Sequence, residues 1–291
     1  MGKIIAISSG KGGTGKTTSV AAISSCLAAL GYKTLCIDFN ARPGNLDLAL
    51  CLKRSRNVSI SDVLSDQASA TEACLHHPRI PNLYYMPAPS NFDCSPLFAK
   101  IRRDFDYCII DSPSGIGADF MLAHADTDMS IIITTAELPA MRDANAAQLA
   151  LCDLGVTDLR YIINRVTKKK LNQLRTMSSD IVKPIYDNLI GIIPEDKIIF
   201  RAMHDEIPLI LYYKRNSAYH FLDAARKIAG EKIPWRLRLN LTPTASEPQS
   251  EPDTKHAAGL GQSPAAENNN LNWIKLTKKK QYTPTIKIKK K

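Results

Sequence analysis

Residues 10–18 read Gly10-Lys11-Gly12-Gly13-Thr14-Gly15-Lys16-Thr17-Thr18, a Gly-x-x-x-x-Gly-Lys-Thr pattern with a second lysine inside it. In that pattern backbone N–H groups wrap phosphate oxygens, the late lysine reaches the outer phosphates, and the hydroxyl after it ligates Mg²⁺. Lys16 and Thr17 stand at those positions, with Gly12, Gly13, Thr14, Gly15 and Thr18 completing the cradle. One lysine suffices for that work. Lys11 therefore needs a separate reason.

The flanks have the order the loop requires. Residues 3–8 (Lys-Ile-Ile-Ala-Ile-Ser) are a nearly continuous apolar run, as expected of a buried parallel strand. Residues 17–30 are rich in Ala, Ser and Leu and free of Gly and Pro, and Gly31 is placed to stop the helix they predict. That helix would aim its unpaired N–H groups at a phosphate.

Two acids repeat one arrangement downstream. Residues 33–38 form an apolar run ending in Asp38, and residues 107–110 another that leads into Asp111. Open α/β sheets bind ligands beyond the carboxyl ends of their strands, so both carboxylates are expected at the ligand edge, orienting Mg²⁺ directly or through water. Further strands are expected at 83–86, 129–134, 159–163 and 189–193, and helices near 95–103, 139–153, 170–179 and 217–229. The alternation predicts an α/β fold, a mostly parallel twisted sheet with helices on both faces. Asn164, Pro194, Glu195 and Asp196 each follow a strand in this reading and join the ligand edge.

The 291 residues divide unevenly. Residues 1–235 carry the strand and helix signals, whereas 236–267 read as a disordered linker, its heart rich in Pro, Ser, Ala, Gln and Asn and unable to bury enough apolar surface to offset its ordering entropy. Residues 268–291 hold eight lysines and no acid, so most of the formal +10 charge sits in a basic tail. Such a tail serves as a solubilising end, a polybasic membrane tether or a nucleic-acid contact. Trp273 and Tyr282 suit a membrane interface, although the apolar residues from 271 to 281 scatter around the helical wheel.

Seven cysteines lack any Cys-x-x-Cys spacing, which argues against a metal or iron–sulfur site, and Cys36 and Cys108 are expected as core side chains. The adjacent His76 and His77 read as loop residues. A strand starting at residue 3 and the lack of any apolar run near 18 residues point to a cytoplasmic chain that meets membrane only peripherally.

Lys11 ahead of the paired glycines, with Lys16 behind them, resembles the deviant Walker A signature of the ParA/MinD ATPase family. Ile37-Asp38-Phe39 with Asn45-Leu46-Asp47-Leu48 resembles the family's first switch, and Asp111-Ser112-Pro113-Ser114-Gly115-Ile116 its second. Arg142-Asp143 and the run from Gly191 to Asp196 are similar too, so the likeness spans residues 2 to about 230. The resemblance implies an ATP-dependent homodimer that hydrolyses ATP with Mg²⁺ on the inner face of the cell membrane and helps place the division site. It implies that Lys11 reaches the partner subunit's ATP, Lys16 holds the β and γ phosphates, and Thr17, Asp38 and Asp111 serve the metal. Asn164 and the loop from Pro194 to Asp196 would contact base and ribose. The implied partners are a division inhibitor or activator of Min type and an anionic membrane. A partition or cargo-positioning ATPase that coats DNA stays open beside this.

One departure stands inside the first switch. Asn40 occupies the place of the family's aspartate that positions the attacking water. An amide hydrogen-bonds water but takes no proton from it, and general-base help is worth about 10²–10⁴ in rate. Slow intrinsic hydrolysis with ATP binding intact is the expectation, and a barely hydrolysing ATP-gated scaffold is its limiting form.

Overall fold

The computed structural model describes residues 1–39, 44–53, 63–65, 69–87, 95–174, 176–212 and 216–233. Asn40, the linker and the basic tail lie outside the described residues.

Strand β1 (Lys3–Ser8) is the pivot. It pairs in parallel with β5 (Tyr107–Asp111) on one side and β6 (Met129–Thr135) on the other. The sheet order is β3-β4-β2-β5-β1-β6-β7-β8, where β2 is Thr34–Asp38, β3 Leu75–His76, β4 Leu83–Pro87, β7 Leu159–Val166 and β8 Leu189–Pro194. Only the short edge strand β3 runs antiparallel among these pairings. The chain after β1 therefore emerges where successive connections diverge, the usual place for a ligand crevice.

Alternation along each strand divides the core into two faces. Ile5 and Ile7 of β1, with Ile131 and Ile133 of β6, meet helix α1 (Lys16–Ala29) and the last helix among the described residues, α9 (Asn216–Ile228). Ile4 and Ala6 point the other way, onto Leu97, Phe98 and Ile101 of α3 (Ser95–Asp104). Beyond β1 on that side, Ile132, Tyr161 and Ile163 pack on Met141, Ala144 and Leu151 of α5 (Leu138–Asp153). Helices cover both faces, as the apolar runs demand.

Helix α1 is buried almost all round, which its small residues allow. Ser19 and Ser25 return their hydroxyls to the carbonyls of Gly15 and Ala21, at 2.8 and 2.6 Å. Gly31, at φ +102°, stops the helix through Gly31 N–H to Ala28 O and Tyr32 N–H to Leu27 O. That pair of bonds is a Schellman motif, and it supplies the stop expected at Gly31.

Three expectations need correction. The helix expected over 170–179 is two helices, α6 (Lys168–Leu174) and α7 (Ser179–Asp187), because Ser178 takes an extended ψ of 135° and opens a new helix that buries Val182 and Ile185. Asn164 lies within β7 and Pro194 ends β8, so neither follows its strand. His76 belongs to β3, whereas His77 does lie in the loop after it, as a buried anchor whose Nδ1 accepts from the N–H groups of Arg79 and Ile80 while Nε2 donates to Leu50 O at 2.9 Å. Helices α2 (Leu46–Ala49), α4 (Ala118–His124) and α8 (Lys197–His204) add to the expected set. Cys36 and Cys108 are buried core residues as expected, and burial pushes the Cys36 thiol up to about 12.

Candidate functional site

The loop between β1 and α1 is shaped by glycine. Gly13 and Gly15 take φ of +79° and +88°, in the left-handed region, and Gly15 caps α1 in that conformation. A Cβ on Gly10 would stand 2.2 Å from the carbonyl oxygen of Asp143, so helix α5 packs directly against the loop's first residue.

The two lysines go to different places. Lys16 is buried, and its Nζ donates to Asp111 Oδ1 at 2.5 Å. Thr17 Oγ1 donates to the other carboxylate oxygen, Oδ2, at 2.7 Å. Lys11, Gly12 and Gly13 are instead exposed on the crown of the loop. One residue of the pattern faces the floor of the site, and its double faces solvent.

Strand register builds the acidic floor. Asp38 pairs with Asp111 across β2 and β5, and Ile7 of β1 pairs with Asp111 on the other side. Both carboxylates are buried, and Asp38 Oδ2 accepts from Leu46 N–H at 3.1 Å, tying the end of β2 to the start of α2. Burial raises the Asp111 pKa above the usual carboxylate range; Lys16 and Thr17 pull it down, and Asp38 adds to the rise. Such a site gains from a cation, which would relieve both carboxylates at once.

The residues fit Mg²⁺ and a polyphosphate. Buried hydroxyls of Ser9 and Thr14, at the loop, have no hydrogen-bond partner within the protein, and buried polar groups of this kind call for one. A hydroxyl and two carboxylates are hard oxygen ligands of the class Mg²⁺ prefers, and that ion takes its remaining ligands from phosphate and water. Among the described residues no group of three or more His, Cys, Asp or Glu is placed to hold a metal alone.

The second side of the site is β7 and the loop after β8. Asn164 is buried, and its Nδ2 donates to Thr14 O at 2.8 Å, bracing the phosphate loop from behind. Glu195 is exposed and pairs with Arg165 at 3.2 Å. Asp196 caps α8: Oδ1 accepts from Ile198 N–H at 3.0 Å, and Oδ2 accepts from Ser217 Oγ at 2.9 Å. Both of its oxygens thus have protein partners. Pro194 is buried between these residues and the end of β7, and Thr18 is half-buried on α1.

Arg165 was missed by sequence reasoning. It bridges the phosphate loop and Glu195, and nothing in the sequence beyond its place next to Asn164 marks it. Asp143, already marked in the sequence by the Arg142-Asp143 pair, is the helix residue that Gly10 meets.

Residues 5–209 match the CobQ/CobB/MinD/ParA nucleotide binding domain. The septum site-determining protein MinD of Synechocystis sp. is 35% identical over 246 residues, covering 81% of this chain and 92% of that protein. The MinC:MinD cell division protein complex of Aquifex aeolicus contains a chain with 32% identity and a TM-score of 0.70, covering 80% of this chain and 98% of that one. MinD of Pyrococcus horikoshii, complexed with Mg-ADP, superposes with a TM-score of 0.67 at 26% identity, over 78% of this chain and 96% of its own. With the lysine-paired loop, the two carboxylates beneath it and this agreement in sequence and fold, the chain belongs to the MinD/ParA family of nucleotide-binding ATPases.

Proposed function

We propose that this protein is an ATP-dependent dimerising switch ATPase of the MinD type, cytoplasmic and peripheral at the inner face of the cell membrane, that takes part in division-site placement. The observation that carries the reading is the separation of the two lysines. Lys16 is committed to the acidic floor, whereas Lys11 stands exposed where a second subunit's nucleotide could meet it. A cation in that position makes association depend on the charge of the bound nucleotide, which is a coupling between two sites.

In this reading Lys16 takes the outer phosphates, Thr17 with Asp38 and Asp111 holds Mg²⁺, and Asn164 with residues 194–196 faces base and ribose. Mg²⁺, when bound, neutralises phosphate charge and orients the phosphates. The Mg-ADP complex of the Pyrococcus horikoshii relative supports this cofactor choice. The MinC:MinD complex of Aquifex aeolicus supports a division inhibitor of Min type as partner. Asn40 would slow hydrolysis, so the ATP dimer would be long-lived until an activator acts.

The basic tail would supply the membrane contact, each lysine near an anionic surface contributing about 1 kcal/mol and dimerisation doubling the number engaged. Its eight lysines also favour DNA as a second reading. Light scattering, co-sedimentation with anionic liposomes and salt-dependent DNA retention, each with ADP, ATP and a non-hydrolysable analogue, test the proposal. ATP-dependent dimers that sediment with liposomes and lose that binding on deletion of residues 268–291 support it. ATP-dependent DNA retention without lipid binding points to the partition reading, and a monomer under every nucleotide contradicts both.

A further inference from the structure

Arg165 has φ +55°, a left-handed conformation that a residue with a side chain enters only at a cost. The pairing of β7 with β8 shifts register between Ile163 and Val166, so the strand bulges there. Bulges beside active sites re-aim side chains. In a regular strand residues 164 and 165 would face opposite sides of the sheet, yet here both reach the phosphate loop.

The turn has two consequences. Arg165 N–H donates to Asn164 Oδ1 at 2.9 Å, which fixes that amide so that Nδ2 donates to Thr14 O. The guanidinium then spans two loops, Nη1 donating to Gly13 O at 3.4 Å and Nη2 to Glu195 Oε1 at 3.2 Å. Lys170 Nζ donates to Arg165 O at 3.4 Å and pairs with Glu137 at 2.7 Å, holding the turn from outside. Glu195 N–H also donates to Val166 O at 3.2 Å, so the backbone ties the loop after β8 to β7, and Arg165 adds the side-chain link that reaches on to the phosphate loop.

We infer that Arg165 is a positioning residue that holds the loop after β8 in register with the phosphate loop, and so gives the site its preference for a ligand carrying both a base and a polyphosphate. The inference rests on residues 10–18 and 194–196 being the two ends of one nucleotide site. A planar fork with several donors can bridge two acceptors at once, which a lysine ammonium does less well. The guanidinium is half exposed, so the effect is moderate and weakens with salt.

The test is calorimetric titration of the full chain and its Arg165→Gly and Arg165→Lys variants with ATP and with inorganic tripolyphosphate, both with Mg²⁺. Glycine takes φ +55° without strain, so Arg165→Gly removes the bridge while holding or raising the melting temperature. Its affinity for ATP should fall about three- to tenfold and that for tripolyphosphate less than about twofold, with part of the ATP loss restored in Arg165→Lys. In an Arg165→Gly, Glu195→Ala double variant the losses should not add. Unchanged ATP affinity in Arg165→Gly, or equal losses for the two ligands, overturns this inference alone. A wild-type chain that binds no ATP overturns the nucleotide site itself, and Arg165's role with it.

Discussion

Replacing the loop glycines one at a time by alanine separates backbone strain from collision. At Gly13 a Cβ would meet nothing within 4 Å, and only the φ of +79° opposes it. The left-handed conformation costs about 1–2 kcal/mol, and the stiffer unfolded chain returns about 0.4–1, leaving a net loss near 1. Gly15 has the same backbone penalty at φ +88°, but its Cβ would lie 2.4 Å from Asn164 Nδ2. The amide must then leave Thr14 O, and losing a buried hydrogen bond adds about 1–3 kcal/mol, for a total of about 2–4. Gly10 has no such φ, yet its Cβ would meet the Asp143 carbonyl oxygen at 2.2 Å and carbon at 2.3 Å, so α5 must move, at about 1–3 kcal/mol. Urea unfolding reads these differences: with a slope of about 2–3 kcal/mol per molar, the midpoint falls roughly 0.3–0.5 M for Gly13→Ala and roughly 0.7–2 M for Gly15→Ala. Adding Asn164→Ala to Gly15→Ala should cost less than the two single changes together, because the collision partner is gone. Equal midpoints for Gly13→Ala and Gly15→Ala, or strict additivity in that pair, would refute the packing argument.

Three further outcomes follow from the same geometry. Lys16→Met leaves Asp111 buried without its cation, a loss of about 3–5 kcal/mol at neutral pH. Because burial raises the Asp111 pKa in the fold, its neutral form favours folding, so the gap in thermal unfolding between this variant and the wild type should narrow as pH is lowered; a gap that does not change with pH contradicts it. Burial lowers the pKa of His124 to about 3 and that of His77 to about 4, both below the unfolded value near 6.5. The unfolded chain therefore binds more protons, and stability present above pH 6.5 is lost toward pH 4 at about 1.4 kcal/mol per unit for each histidine. Replacing His124 by Phe should reduce that slope in denaturant titrations at pH 4.5–7, and an unaltered slope would count against it. Asn40→Asp should raise phosphate release at least several-fold, toward the ~10²–10⁴ that general-base help gives. A wild-type rate already equal to the variant's, or a several-fold rise on Asn40→Ala, rules out Asn40 as the limit.

What the sequence made legible was continuous along the chain. Residues 3 to 38 contain strand, loop, helix, stop and acid in one stretch, and the structure places each within a residue or so of its expected place. Asp111 was legible because an apolar strand ending in an acid repeats the Asp38 pattern. The sheet order was not, since the insertion of β1 between β5 and β6 depends on pairings a hundred residues apart. Helix α8 was not expected, although its start carries a local signal, Asp196 accepting from Ile198 N–H as N-cap; the β-branched Ile198-Ile199 pair that follows favours a helix only weakly. Arg165 was invisible: its role comes from a left-handed φ and a bulge, which residue identity does not encode in an arginine. His77 acquires its part from Leu50, distant in sequence.

Lys16 is assigned to the nucleotide site and Lys11 to the dimer switch. The direct measurement is the molar mass of the wild type and of Lys11→Ala in saturating Mg-ATP, with bound ATP quantified on the same samples. The expected result is a wild-type dimer, and a Lys11→Ala protein that retains ATP yet stays monomeric. A Lys11→Ala protein that dimerises as the wild type does, or that has lost ATP along with dimerisation, contradicts it.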